Sequence, residues 1–264
     1  MDSPLTSHQS ELTTKLAVVA ITAALYTLGK GLTGYIPSPW GVGQLLVGIF
    51  LPAFFAVVAD TLAVATGAGM GTFIGDVLFL APLNHTTPVL SLIAGVPANF
   101  IGFLLFGWFV KRYSSWSAFV AATVTFVTLG NLIAATSVVL FLSLPIELIL
   151  GLTVFWNTTS IPAIIIAVPI LIRIARPTLG RSRILNYLPQ WSGSTEGRQT
   201  SIALVFAMIF VGIGAVIFLG APETLAGWPG LAGYFALAAA LVVIFGPLAS
   251  FVAGSRVGAN QVAN

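Results

Sequence analysis

Cysteine is absent from this sequence of 264 residues, and histidine occurs only at His8 and His85. The lack of cysteine excludes disulfides, thiolate metal sites and thiol nucleophiles. Two histidines are too few for a three-histidine metal site within one chain. Charged residues make up 6% of the chain, whereas about a quarter of a soluble domain is charged. Together with a hydrophobic content of 58%, this scarcity predicts an integral protein of the lipid bilayer.

Long apolar runs divide the chain into eight predicted membrane-spanning helices, each near the roughly 20 residues that cross a bilayer. Their approximate bounds are 12–28, 44–59, 61–80, 89–110, 117–142, 145–172, 201–219 and 231–253. The first six form a predicted substrate-capture core, residues 1–175. A basic cytoplasmic linker, residues 176–200, joins this core to a two-helix transmembrane appendage, residues 201–264. The predicted fold class is all-α.

Basic residues are distributed unevenly about these spans. With the N-terminus in the cytoplasm, only Lys30 of the ten lysine and arginine residues lies on the outer side. Cytoplasmic loops are enriched in such residues, so we expect a multi-pass protein of the cell membrane with both termini in the cytoplasm. This distribution accounts for the pI near 9.5 without nucleic acid as a partner. The N-terminus lacks the basic start of a secretory signal, so we expect the first helix to be retained.

The third predicted span carries small residues at every fourth position. These are Ala63, Gly67, Gly71 and Gly75. Residues four apart share one helix face, and a face without side chains lets another backbone approach closely. The spacing therefore predicts a helix-packing surface, which meets either another helix of this chain or a partner. Asp60 precedes this span and marks either a turn or a kink.

Amide side chains occur at a similar predicted depth in three spans. Asn99, Asn131 and Asn157 each lie about ten residues from the outer end of their span, and Trp156 adjoins Asn157. Buried amides donate and accept hydrogen bonds at once, which suits a neutral heterocycle or a polar vitamin. The alternative is that the amides bond across helices and that the indole is a packing anchor.

A second group of candidate ligand contacts lies at the predicted outer ends of the spans. Asp76 ends the glycine face, His85 follows in the next loop, and Tyr35 and Trp40 belong to the first outer loop. The two aromatic side chains could instead be residues of the membrane interface. A metal site needs three or more converging ligands, and we predict none here.

Three stretches of the chain resemble the S component of energy-coupling factor (ECF) transporters, the small membrane subunit that captures vitamins or metal ions. They are AVVAITAALYTLGKG, VGIFLPAFFAVV and GAGMGTFIGDVLF. The resemblance covers about residues 16–176, the size of that family's six-helix core. It implies an S-component-like bundle with two extra C-terminal transmembrane helices.

The resemblance also implies partners and a mode of action. In that family, alanines four apart in the first helix contact the transmembrane T subunit, and Ala20 and Ala24 match that spacing. The implied function is capture of a small micronutrient on the outer side, with the first loop as a lid. ATP is then bound by two partner ATPase subunits, and the chain has no phosphate-binding loop of its own. No cofactor is implied for this chain.

Two other classes of function remain as alternatives. A stand-alone secondary transporter or channel would work without ATPases, but the sequence has no evident inverted repeat. An intramembrane enzyme would need a nucleophile with its base, paired carboxylates or a metal within the spans. No predicted span holds a histidine or paired carboxylates. We therefore predict no catalytic residue.

Overall fold

The computed structural model describes residues 4–38, 40–81, 87–179, 181–187, 189 and 205. These residues form helices joined by short connections, and no strand occurs among them. The helices are α1 (Pro4–Thr33), α2 (Val47–Val58), α3 (Thr61–Leu80), α4 (Pro88–Tyr113), α5 (Trp116–Phe141) and α6 (Leu148–Ala175). The two predicted C-terminal spans lie outside the described residues.

Five of these helices, α1 and α3 to α6, are long and apolar enough to cross a membrane. The chain is therefore a multi-pass membrane protein, as the composition predicts. The second predicted span differs from the expectation of one continuous helix. Only Val47–Val58 is helical, as three residues of 3₁₀ helix followed by nine of α-helix. At about 1.5 Å per residue, this helix covers roughly 18 Å and is too short to span alone.

The glycine face of α3 packs against α1 of the same chain. A methyl group added to Gly67 would lie 2.7 Å from the Val19 carbonyl oxygen, and one added to Gly71 would lie 2.7 Å from that of Ala23. At Gly75 the nearest atoms belong to Lys30. Contacts thus advance along both helices in the same direction, so α1 and α3 are parallel.

Parallel packing of α1 and α3 means that residues 34–60 return the chain across the bundle. α2 covers part of this distance, and the connecting segment, residues 34–46, covers the rest; its described residues, 34–38 and 40–46, are not helical. At the far end, Asp60 caps α3, because its carboxylate accepts a hydrogen bond of 2.8 Å from the backbone N–H of Ala63. Lys111 of α4 donates to the Ala59 carbonyl and to Thr61 Oγ1. Asp60 therefore marks a sharp turn between two helices.

The described part of the predicted linker packs against the same end of the bundle. Residues 181–187 are not helical. The backbone N–H of Tyr187 donates to the Val58 carbonyl at 3.1 Å, and its hydroxyl contacts Ser114. This segment thus joins the ends of α2 and α4.

Candidate functional site

A cavity of about 200 Å³ lies among the six helices, at the end of the bundle where α1 and α3 finish. Residues 41–44 of the connecting segment contribute one wall. Most of the lining is aliphatic or aromatic. Its polar members are Lys30, Gln44, Thr72, Asp76, Ser91, Asn99, Asn131 and the Trp156 indole. A mostly apolar hollow with a few converging polar groups is the usual form of a small-molecule site.

Four of the eight residues proposed from sequence as ligand contacts line this cavity. They are Asp76, Asn99, Asn131 and Trp156. Asn157 does not line it, because its side chain lies behind Asn131. Tyr35 is 64% exposed and is also absent from the lining. His85 lies outside the described residues.

The amide groups belong to two separate hydrogen-bond networks. Asn131 Nδ2 donates to Asn157 Oδ1 at 2.8 Å, and Asn157 Nδ2 donates to Thr128 Oγ1 at 3.1 Å. On the other side of the cavity, Tyr26 donates its hydroxyl proton to Asn99 Oδ1 at 2.9 Å. Asn157 thus forms hydrogen bonds between helices, which is the alternative to ligand contact given for these amides above. Its hydrogen bond fixes the orientation of Asn131 at the cavity wall.

An ion pair lies at the edge of the cavity and includes Lys30, which the first predicted span, residues 12–28, left in the first outer loop. Lys30 belongs to the last turn of α1, and its ammonium group donates to Asp76 Oδ1 of α3. Ser91 of α4 donates to Asp76 Oδ2 at 2.6 Å. The side chains of Lys30 and Asp76 are only 4% and 7% exposed. The placement of Lys30 in the outer loop was therefore wrong, because the helix continues past it and buries its side chain against α3.

Sequence reasoning could have found this pair. Lys30 follows Ala23 and Tyr26 at intervals of seven and four residues, on the α1 face that packs against α3. Residues at such intervals share one helix face. Lys30 lies on that face near the end of α1, and Asp76 lies near the end of α3. Because the two helices are parallel, the lysine is placed to meet the carboxylate.

The connecting segment is held against α6 by two tryptophan–glycine contacts. Trp40 packs on Gly151, where an added methyl group would lie 2.9 Å from its ring. In the second contact the tryptophan comes from α6 and the glycine from the segment. Trp156 packs on Gly43 and donates its indole N–H to the Gln44 carbonyl at 3.1 Å. Gly43 has φ +76°, a left-handed conformation that favours glycine. Trp40, a proposed ligand contact, therefore positions the segment and does not line the cavity.

Three π-helical turns in the described part of the chain border the cavity. They are Asp76–Leu80 in α3, Ser91–Gly95 in α4 and Thr123–Val127 in α5. Each contributes to the lining, through Asp76, through Ser91 and Ala94, and through Phe126 and Val127. A π turn is a single-turn irregularity that occurs frequently at functional sites. No residue type marks a π turn, so these turns could not be predicted from the sequence.

The remaining sequence-derived residues lie away from the cavity. Ala20 and Ala24 are exposed on the α1 face that points away from α3. Among the described residues, no three histidine, cysteine, aspartate or glutamate side chains gather where they could hold a metal ion. A search of protein-family models, curated proteins and solved structures finds no match to this chain. The arrangement in the cavity is one that can bind and orient a small molecule.

Proposed function

We propose that this chain is the substrate-specific S component of an ECF-type importer, which captures a vitamin or another small micronutrient on the outer side of the cell membrane. The cavity is the observation that carries the proposal. It combines apolar walls with amide, indole and charged groups from five helices. Its position at one end of the bundle suits a protein that takes up its cargo from one side.

The connecting segment supports the same assignment. Residues 34–46 enter the bundle, where residues 41–44 form a wall of the cavity. The segment packs on α6 through the Trp156 indole hydrogen bond, the tryptophan–glycine contacts and the edge-on contact of Trp40 with Phe155, and Leu45 is buried in the same apolar cluster. In this proposal the non-helical segment opens for the cargo and closes over it, since ligand-binding loops come from the less stable parts of a fold.

The exposed alanines of α1 offer a surface for the T subunit. Ala20 and Ala24 lie on the outside of the bundle, where their small side chains leave the α1 backbone accessible. Close approach of helix backbones is how membrane helices associate. In this proposal, energy for transport comes from ATPase subunits that bind the T subunit.

Affinity capture from native membranes tests the proposal. The chain with a C-terminal tag is solubilised in mild detergent, purified, and its co-purifying proteins are identified by mass spectrometry. We expect a polytopic membrane protein and two ATPases that carry phosphate-binding loops. Recovery of the chain without an ATPase, together with ATP-independent solute uptake into liposomes by the chain alone, would assign it as a stand-alone transporter.

A further inference from the structure

Two buried amide side chains at the cavity lack partners for part of their hydrogen-bonding capacity. Gln44 is 7% exposed and lines the cavity, and the hydrogen bond that it receives from Trp156 goes to its backbone carbonyl and leaves its side-chain amide available. Asn131 is 6% exposed and uses one polar atom for Asn157, so its other polar atom has no partner in the described part of the chain. The unused amide atoms are not fully enclosed in the described part of the chain, where the enclosed polar side-chain atoms without a partner are Thr22 Oγ1 and Ser160 Oγ. The amide atoms are therefore open to the cavity, and an occupant can bond to them both as a donor and as an acceptor.

The charges of the cavity sum to zero. Among the described residues that line it, only Lys30 and Asp76 are ionisable, and they pair with each other. Both carboxylate oxygens of Asp76 are engaged, one by Lys30 and one by Ser91. A charged ligand would bring a charge without a counterion into a mostly apolar cavity, where an unpaired charge is strongly disfavoured. An uncharged ligand avoids this penalty.

The walls favour an apolar ring. Leu46, Ile49, Phe103, Phe126, Val138 and Leu142 line the cavity beside the Trp156 indole. Burial of apolar ligand surface against such side chains is favourable in proportion to the area that is buried. A ligand with an apolar ring and an amide group would match both the apolar walls and the polar side chains of the cavity.

We propose, on the basis of the importer function above, that the cargo is an uncharged ring compound that carries a carbonyl acceptor and an N–H donor, as in an amide, a lactam or a ureide. Its polar group bonds to Gln44 and Asn131, and its ring packs on the apolar walls. The Lys30–Asp76 pair excludes organic anions and cations of the same shape.

Three probes of nearly the same shape test the proposal on the purified full chain: benzamide, benzoate and benzylammonium. Binding is measured by the shift in thermal unfolding and by calorimetry in one detergent. In the variant Ala134→Phe the larger side chain fills part of the cavity. This variant is the blank, which measures binding of the probes outside the cavity. We expect benzamide to bind about tenfold or more tightly than either ion. An ion that binds as tightly as benzamide, or benzamide that binds no better than to the blank, would overturn the proposal.

Two variants change the charge of the cavity without a large change in its volume. Asp76→Asn leaves the positive charge of Lys30 and should shift preference toward benzoate. Lys30→Met leaves the negative charge of Asp76 and should shift preference toward benzylammonium. The double variant restores a net charge of zero and should again prefer benzamide, which keeps the test decisive if a single variant does not fold. An unchanged order of the three probes in all variants would contradict the role of the pair.

This measurement separates the ligand class from the importer function. Probe binding needs no ATPase and no T subunit. A chain that binds benzamide selectively but recruits no ATPase would refute the importer assignment and retain the ligand class. A chain that recruits ATPases but prefers an ion would support the importer assignment and refute the ligand class.

Discussion

Lys30 and Asp76 form a buried ion pair that joins the ends of two parallel helices at the edge of the cavity. Lys30 comes from α1 and Asp76 from the π turn that ends α3. The ammonium group of Lys30 also lies 5.8 Å from the centre of the Tyr26 ring. The two charges of the pair cancel within the cavity. The pair also holds the end of α1, from which the connecting segment begins, against α3.

Removal of one partner of the pair should destabilise the fold strongly. Lys30→Met leaves the Asp76 carboxylate buried with Ser91 as its remaining partner, and such a loss costs about 3–5 kcal/mol. The double variant Lys30→Met/Asp76→Leu removes both charges and should recover much of that stability. Unfolding of the purified variants in detergent provides the comparison. Equal stability of the single and double variants would show that the pair contributes little.

The glycines of α3 offer a matched test of helix packing. A methyl group at Gly71 would lie 2.7 Å from the Ala23 carbonyl oxygen, whereas one at Gly69 would meet nothing closer than 3.4 Å. Gly71→Ala should destabilise the bundle by about 1–3 kcal/mol, because the backbone of α1 must move. Gly69→Ala should be neutral or stabilising by up to about 1 kcal/mol, because alanine favours helix. Similar melting temperatures for the two variants would argue against the α1–α3 contact.

The sequence predicted those features of the fold that depend on periodicity and composition. The four-residue spacing of Gly67, Gly71 and Gly75 identified a packing face, and the structure provides α1 as its partner. Of the eight spans that hydrophobicity predicted, five are long apolar helices in the described part of the chain, α2 is too short to span alone, and the last two lie outside the described residues. The second predicted span began at residue 44, after Gly41 and Gly43, whose positive φ marks non-helical backbone. It included residues 44–46 wrongly, because an apolar stretch that lines a cavity and one that faces lipid have similar composition.

The candidate site was predictable in part for a similar reason. Polar residues in apolar spans stand out, so Asn99, Asn131 and Asp76 were identified from depth and residue type alone. Depth does not give the direction of a side chain, which is why Asn157 was included although it bonds behind the wall. Gln44 was missed because its position depends on the path of the connecting segment and on no local pattern.

Glycines in the connecting segment allow backbone strain to be separated from side-chain contact. Gly41 and Gly43 both have positive φ, +72° and +76°. A methyl group at Gly41 would meet nothing within 4 Å, but one at Gly43 would lie 2.6 Å from the Trp156 ring. Alanine costs about 1–2 kcal/mol at either position because of the left-handed backbone. Only Gly43→Ala should also displace the segment from α6.

Hydrogen–deuterium exchange of the segment measures this difference. We expect faster exchange at the N–H groups of residues 40–46 in Gly43→Ala than in Gly41→Ala, and weaker benzamide binding in the first variant. Equal exchange in the two variants would mean that contact with Trp156 does not hold the segment.

The exposed face of α1 leads to a prediction about assembly. Ala20→Trp and Ala24→Trp place a bulky side chain where the small residues of α1 would approach the T subunit, and neither residue packs within the described bundle. We expect both variants to fold and to bind benzamide as the unmodified chain does, but to lose the co-purifying ATPases. Leu132→Trp, at a site on α5 that is 42% exposed, is the matched control and should retain them. Loss of ATPases in all three variants would point to a general effect of bulky side chains on the membrane surface, and retention in all three would remove this face of α1 from the interface.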